Sequence, residues 1–178
     1  MRNIRGFTLI ELLIAIAILG ILAALALSGS NNLAQNNRSE AFLLDLKRTI
    51  SFARAKATTS DEIVIACPVN PSKLATRSNM SCENNWSNNN VIVFIDADNS
   101  GAFDNNDTLL RAMDLLPNGD KLTFNGSLRI RFDSSGRVTS STGRFIYCPS
   151  GGDEKSKELT LAVSGNAFYK GDVTQSCP

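Results

Sequence analysis

Histidine is missing from the chain altogether, which removes the commonest general base, the usual zinc ligand and the one side chain that switches charge near neutral pH without perturbation. A charge excess of either sign is also missing. Lys and Arg total 18 against 17 Asp and Glu, so nothing in the overall balance points to a nucleic-acid or polyanion partner. No two of the four cysteines stand in a CxxC spacing, which argues against zinc ribbons and thioredoxin-like redox chemistry. Metal-ligand clusters with histidine and nucleophile motifs are equally absent. The expectation is a chain that is not an enzyme and requires no cofactor.

What is present is strongly segregated. The 178 residues suffice for one modest domain plus an extension. Phe7 to Leu27 carries a single charge, Glu11, and as a helix would rise about 31 Å, the thickness of a bilayer's hydrocarbon core. Arg2 and Arg5 precede it and no basic residue follows until Arg38, so the positive-inside rule predicts a cytoplasmic N-terminus and an exported remainder. Ala24-Leu25-Ala26 would also suit a secretory signal peptide. Against that, a carboxylate inside the apolar run costs about 2.5–3.5 kcal/mol on insertion scales, and a disposable signal has no use for it.

From about Leu33 to Thr59 the pattern becomes amphipathic, with Phe42, Leu46, Ile50, Ala53 and Ala57 on one stripe that should dock on a sheet. Ser28 to Asn32 interrupts the two regions with weak helix formers. Beyond Asp61, short β-branched and aromatic runs alternate with turn residues. Strands are predicted near 62–67, 91–95, 108–116, 121–125, 128–133, 144–148, 158–164 and 167–170. The fold class is α+β: a long N-terminal helix, membrane-spanning in one half and amphipathic in the other, packed on antiparallel β-sheet. Pro68 to Asn90 reads as a long polar connection, with Trp86 as its core anchor. Cys67, Cys82, Cys148 and Cys177 suit two disulfides in an oxidising compartment. Three pairings are open, and sequence order favours Cys67 with Cys82 and Cys148 with Cys177.

One loop has metal-binding spacing. Asp96, Asp98, Ser100, Asp104 and Asp107 fall at positions 1, 3, 5, 9 and 12 of a twelve-residue stretch with Gly101 at position 6, as in a calcium loop, and the Ala102 carbonyl would supply a further oxygen. The competing reading is an Asx-rich turn whose side chains bond their own backbone.

The residues Arg5-Gly6-Phe7-Thr8-Leu9-Ile10-Glu11-Leu12-Leu13-Ile14 resemble the processing site of type IV pilins and type II secretion pseudopilins. Resemblance implies a pilin-like fold, cleavage by a prepilin peptidase between Gly6 and Phe7, N-methylation of Phe7, and pairing of the new amine with Glu11 of a neighbouring subunit. The domain plan is then a leader over 1–6, a transmembrane and assembly helix over 7–29, and a periplasmic or extracellular domain over 30–178. Localisation would be single-pass in the inner membrane before assembly and in a pilus or pseudopilus afterwards.

Trp86, Val91 to Asp96, Asp107 to Arg111, Ile130-Arg131-Phe132 and Phe145 to Cys148 are similar to the GspH/FimT branch. That similarity implies a minor pilin of an initiating or tip complex, with other pilin subunits as partners. A minor pseudopilin of a type II secretion system is one alternative. A DNA-binding receptor pilin is another, but the basic GRxR-type motif of such relatives reads Gly165-Asn166-Ala167-Phe168 here, without either arginine. Nucleic acid is therefore a disfavoured partner.

Overall fold

The structure is a computed structural model that describes residues 7–28, 30–77, 80–150 and 155–175. Two helices come first, α1 (Leu9–Ser28) and α2 (Ser30–Ser60). They are followed by β1 (Val64–Val69), α3 (Pro71–Thr76), β2 (Asn90–Ile95), β3 (Thr108–Ala112), β4 (Lys121–Phe124), β5 (Ile130–Phe132), β6 (Gly143–Cys148), β7 (Ser156–Leu161) and β8 (Ala167–Val173). The strands form two four-stranded sheets, ordered β3-β2-β1-β5 and β4-β6-β7-β8, with every pairing antiparallel.

α2 is the common spine of both sheets. Leu43, Leu46, Ile50, Ala53 and Ala57 are almost fully buried and join inward-facing residues of β1, β2, β5, β6 and β7 in one core. The small side chains at Ala53 and Ala57 let the helix backbone approach the strands closely. β1 is buried on both faces, so its residues alternate between two clusters: Val64 and Ala66 face α2, while Ile65, Cys67 and Val69 pack with Met80, Ile92 and Phe94 on the far side. The Cys67–Cys82 disulfide fastens the polar connection over that second cluster. Trp86 is buried within the main core, with its ring centroid 5.4 Å from that of Phe124 and 5.0 Å from that of Phe145.

Several boundaries differ from expectation. β1 starts two residues late because Asp61 adopts φ 57°, a left-handed turn closing the helix, and it runs through Pro68. Proline is tolerated there because β5 pairs only with Val64 to Ala66, leaving no neighbour that needs the missing N–H. The connection after β1 contains α3, which was not predicted; Asn70 caps it by accepting the Ser72 N–H at 3.0 Å. β3 ends at Ala112, and Met113 and Leu116 turn inward before Pro117.

The membrane-spanning half of the fold assignment is corrected. Phe7 and Thr8 lie outside α1, and Glu11 occupies its first turn. The charge-free apolar part from Leu12 to Leu27 rises about 24 Å, against about 30 Å of hydrocarbon. Among the described residues no helix is long and apolar enough to cross a membrane. The transmembrane helix over 7–29 and the single-pass inner-membrane localisation fall with that finding. An α+β fold with an N-terminal helix packed on antiparallel sheet remains. The leader over 1–6 and Cys177 lie outside the described residues.

Candidate functional site

α1 starts with a reciprocal cap. The Thr8 backbone N–H and hydroxyl both donate to the Glu11 carboxylate at 3.0 Å, and the Glu11 N–H donates back to the Thr8 hydroxyl at 3.3 Å. This is the S/T-x-x-E capping box, a pattern legible in Thr8-Leu9-Ile10-Glu11 that sequence reasoning passed over. It holds the Glu11 carboxylate at the N-terminal end of the helix, next to Phe7. Beyond the cap, the large apolar side chains from Leu9 to Leu22 are 48–76% exposed, and they project on every side of the helix. A helix apolar all round is stable only when other surfaces cover it.

Where the helix meets the head, a buried carboxylate fixes it. The Asp120 side chain accepts from the Arg38 guanidinium at 2.9 Å, from the Ser150 N–H at 2.8 Å and from the Tyr147 hydroxyl. Burial pushes the Tyr147 phenol well above its usual range, and the hydrogen bond to the Asp120 carboxylate adds to the rise. Arg38 thereby anchors α2 to the turn before β4 and to β6.

The acidic loop between β2 and β3 gathers part of its predicted ligand set. Carboxylate oxygens of Asp96, Asp98 and Asp107 lie within 4.8 Å of one another. Asp104 stays outside this group of carboxylates. The Ser100 hydroxyl donates to the Ala102 carbonyl at 3.0 Å, and Asp104 accepts the Asn106 N–H at 2.7 Å. Asp96 accepts the Gly101 N–H, and Asp107 bridges the loop by accepting the Ala97 and Asp104 N–H groups. Burial pushes the Asp107 carboxyl up; these N–H bonds oppose the rise, and the charges of Asp104 and Asp96 reinforce it. Asp98 is exposed, and the hydrogen bond from the Ser100 N–H holds its carboxyl below the usual range.

Arginine from a distant segment stabilises the same loop. Arg129 donates to the Gly101 carbonyl and Arg131 to the Asn99 side-chain oxygen at 2.6 Å. No local signal marks Arg129 and Arg131 as loop clamps, since their partners are about thirty residues away. Arg144 faces Glu158 at 3.4 Å. At the Gly165-Asn166 turn, Asn166 accepts from Arg54 of α2 at 3.2 Å. Arg129, Arg131 and Arg144 are thus each engaged by the protein's own oxygen atoms. Cys67 and Cys82 are bonded to each other, as sequence order favoured, and Cys148 is also disulfide-bonded.

Comparison with known proteins places this geometry. The profile of the family described as "Type II transport protein GspH" matches residues 44–166, and that of the "Prokaryotic N-terminal methylation motif" matches residues 1–27. A fimbrial protein of Moraxella nonliquefaciens is 47% identical over 72 residues, which cover 34% of this chain and 47% of that protein. The chain thus spans about half the length of this curated relative. Two crystal structures of FimU, a type IV minor pilin of Pseudomonas aeruginosa, share the fold at 13% identity. Their TM-scores are 0.58 and 0.53, covering 78% and 74% of this chain and 92% and 91% of theirs.

Proposed function

Because this chain belongs to the GspH family, and so is a structural, non-catalytic pilin or pseudopilin subunit of a type IV pilus or a type II secretion system, we propose that it is a minor pilin in the initiating or tip complex of a pilus. The observation that carries the reading is α1, whose large apolar side chains from Leu9 to Leu22 are exposed all round, as equivalent helices of neighbouring subunits would cover them. The fold shared with a type IV minor pilin favours a pilus over a secretion system. Crosslinking and mass spectrometry of the intact assembly tests this: recovery with pilus components is expected, and recovery with secretion-system components alone overturns it.

Processing between Gly6 and Phe7 prepares the subunit. The methylation-motif match over residues 1–27 supports cleavage and methylation of the Phe7 amine by a prepilin peptidase. The new amine then pairs with Glu11 of a neighbour, which sets register more than it adds net stability, since desolvating both charges offsets their attraction. Mass spectrometry of the mature N-terminus should find Phe7 carrying one methyl group.

The acidic loop binds a divalent cation, with calcium the best match to an all-oxygen donor set. Asp96, Asp98 and Asp107 supply the carboxylates, and the loop spacing offers Ser100, Asp104 and the Ala102 carbonyl as the remaining oxygens. Calcium should raise the melting temperature and release or absorb heat in calorimetric titration. Asp98→Asn should abolish both responses. Silence of the unmodified protein in both experiments at millimolar calcium removes the site.

A further inference from the structure

We propose that a recess beside the outermost strand β4 binds a pyranose ring, as one unit of a neutral glycan. The proposal goes beyond the subunit reading above and does not depend on where in a filament the chain sits.

The recess lies between the Asn-rich connection before β2 and the free edge of the second sheet. Asn84, Asn85, Trp86 and Ser87 line it on one side and Leu122 and Phe124 on the other, and it encloses about 400 Å³, within the range of pockets that hold small molecules. No ionisable side chain lines it. A phosphate or carboxylate would find no cation there to offset its desolvation, so the lining favours an uncharged ligand with many hydroxyls.

The aromatic part of the recess is rigidly backed. Phe124 stacks on its cross-strand partner Phe145, with ring centroids 4.1 Å apart and planes 13° from parallel. Trp86 lies 5.4 Å from Phe124 and 5.0 Å from Phe145. Distances so nearly equal put Trp86 beside the stack, because a ring capping the far face of Phe124 would be much farther from Phe145 than from Phe124. One face of Phe124 is therefore covered by the fully buried Phe145, and the other borders the recess, in keeping with the partial exposure of Phe124. The slightly positive C–H groups of a sugar ring pack well on such a negative π face.

The edge of β4 adds directional polar groups. Residues of an antiparallel strand turn their main-chain groups alternately toward and away from the partner strand. Leu122 turns its own away from β6, where the Ser87 hydroxyl accepts its N–H at 2.8 Å and donates to its carbonyl at 3.0 Å. Phe124, two residues on, has the same parity, so its N–H and C=O also point outward, beyond the part of the edge that Ser87 covers. β4 ends at Phe124, so a single main-chain pair is left open. That is too short for strand addition, which needs a run of such bonds, but it suffices to orient one ring. The Asn85 side-chain oxygen accepts the Ser87 and Asn88 N–H groups at 2.7 and 3.3 Å, which fixes the loop and leaves the Asn85 amide nitrogen without a partner among the described residues. Asn84 is exposed, and its carboxamide has no partner among the described residues. A carboxamide both donates and accepts, as vicinal hydroxyls require. The Cys67–Cys82 disulfide tethers the segment just before Asn84, so little ordering entropy remains to be lost on binding.

Trp86 is the one tryptophan of the chain, so its fluorescence reports on the recess without a label. The test titrates the full-length chain, held in a sugar-free zwitterionic detergent, with D-glucose, D-galactose and N-acetyl-D-glucosamine, and with the acyclic polyol sorbitol as a control. At least one pyranose should give a saturable change with a dissociation constant of about 1–10 mM, as befits a small ligand making few contacts. Sorbitol, which has hydroxyls but no ring face, should give none. Phe124→Leu should weaken binding at least about fivefold, while Phe124→Tyr, which keeps the ring, should retain it. Asn84→Ala should leave the melting temperature unchanged and weaken binding at least about threefold; it decides the question if circular dichroism shows Phe124→Leu to be unfolded. Flat titrations with all three pyranoses at about 100 mM overturn the proposal. An equal response to sorbitol, or affinity unchanged in the folded variants, also overturns it. A response to a capped valine tripeptide and to no sugar would assign the open edge to peptide capture and overturn it too.

Discussion

α1 and α2 follow one another along the chain, yet they solve the hydrophobic problem in opposite ways. α2 buries a stripe against two sheets and presents polar side chains elsewhere, so its stability is internal to the head. Among the described residues α1 exposes its large apolar side chains, and the Thr8–Glu11 cap belongs to its first turn. Defects in α2 should therefore appear as lost folding, and defects in α1 as lost assembly.

The sharpest break in that comparison comes at the junction. Asp120→Ala leaves the Arg38 guanidinium and the Tyr147 hydroxyl without their buried partner and should cost about 3–5 kcal/mol in urea unfolding. It should also bring the Tyr147 phenol back toward the ordinary tyrosine range, visible as earlier ionisation in an alkaline absorbance titration. In the unmodified protein the folded-state pKa of Tyr147 lies above its unfolded value, so the folded state favours the protonated phenol. That contribution is complete below about pH 10 and is lost as pH rises beyond it.

Next come paired truncations. Ile50→Ala in α2 should cost about 2–5 kcal/mol, since its side chain is 1% exposed in the core. Ile16→Ala in α1 should leave the head's melting temperature unchanged while reducing recovery in filaments. A drop in the melting temperature of Ile16→Ala would show that α1 packs on its own head. Removing the Cys67–Cys82 bridge by double serine substitution should cost about 3 kcal/mol in the chain-entropy model, from a sequence separation of 15 residues.

How much of this the sequence revealed depends on whether a signal was local. The α2 stripe was legible because its period is set within the helix, and the same holds for β2, where Val91 to Ile95 is continuously apolar. Leu43 was missed because it lies beside the stripe; two sheets, rather than one, press on the helix and widen its buried face. α3 was missed because its apolar content is one Leu, and its start depends on the Asn70 side chain. In the acidic loop the spacing correctly drew Asp96, Asp98 and Asp107 together. The Ser100 bond to the Ala102 carbonyl is the local turn chemistry of the competing reading, but the spacing could not foresee that Arg129 would reach the loop from the bend before β5, since that contact arises only once β2 and β5 flank β1. The apolar run at the N-terminus was plain, but its length as a helix depended on where the cap fell, and the cap set it at Leu9.

The smallest expected effect tests whether α2 is held by its core or by its charges. Asp45 on α2 and Arg111 on β3 meet at 2.8 Å, with side chains 39% and 36% exposed. Water screens a pair this open, and holding two long side chains in one geometry offsets part of the attraction, so the coupling should be about 0.2–1 kcal/mol. A double-mutant cycle with Asp45→Ala and Arg111→Ala isolates it, because each truncation alone also alters local packing. The coupling should shrink as salt is raised, with a Debye length of about 10 Å at 0.1 M falling to about 3 Å at 1 M. A value above about 2 kcal/mol, or one indifferent to salt, would mean that the pair is shielded from solvent by something the single head does not supply, such as a neighbouring subunit lying over β3.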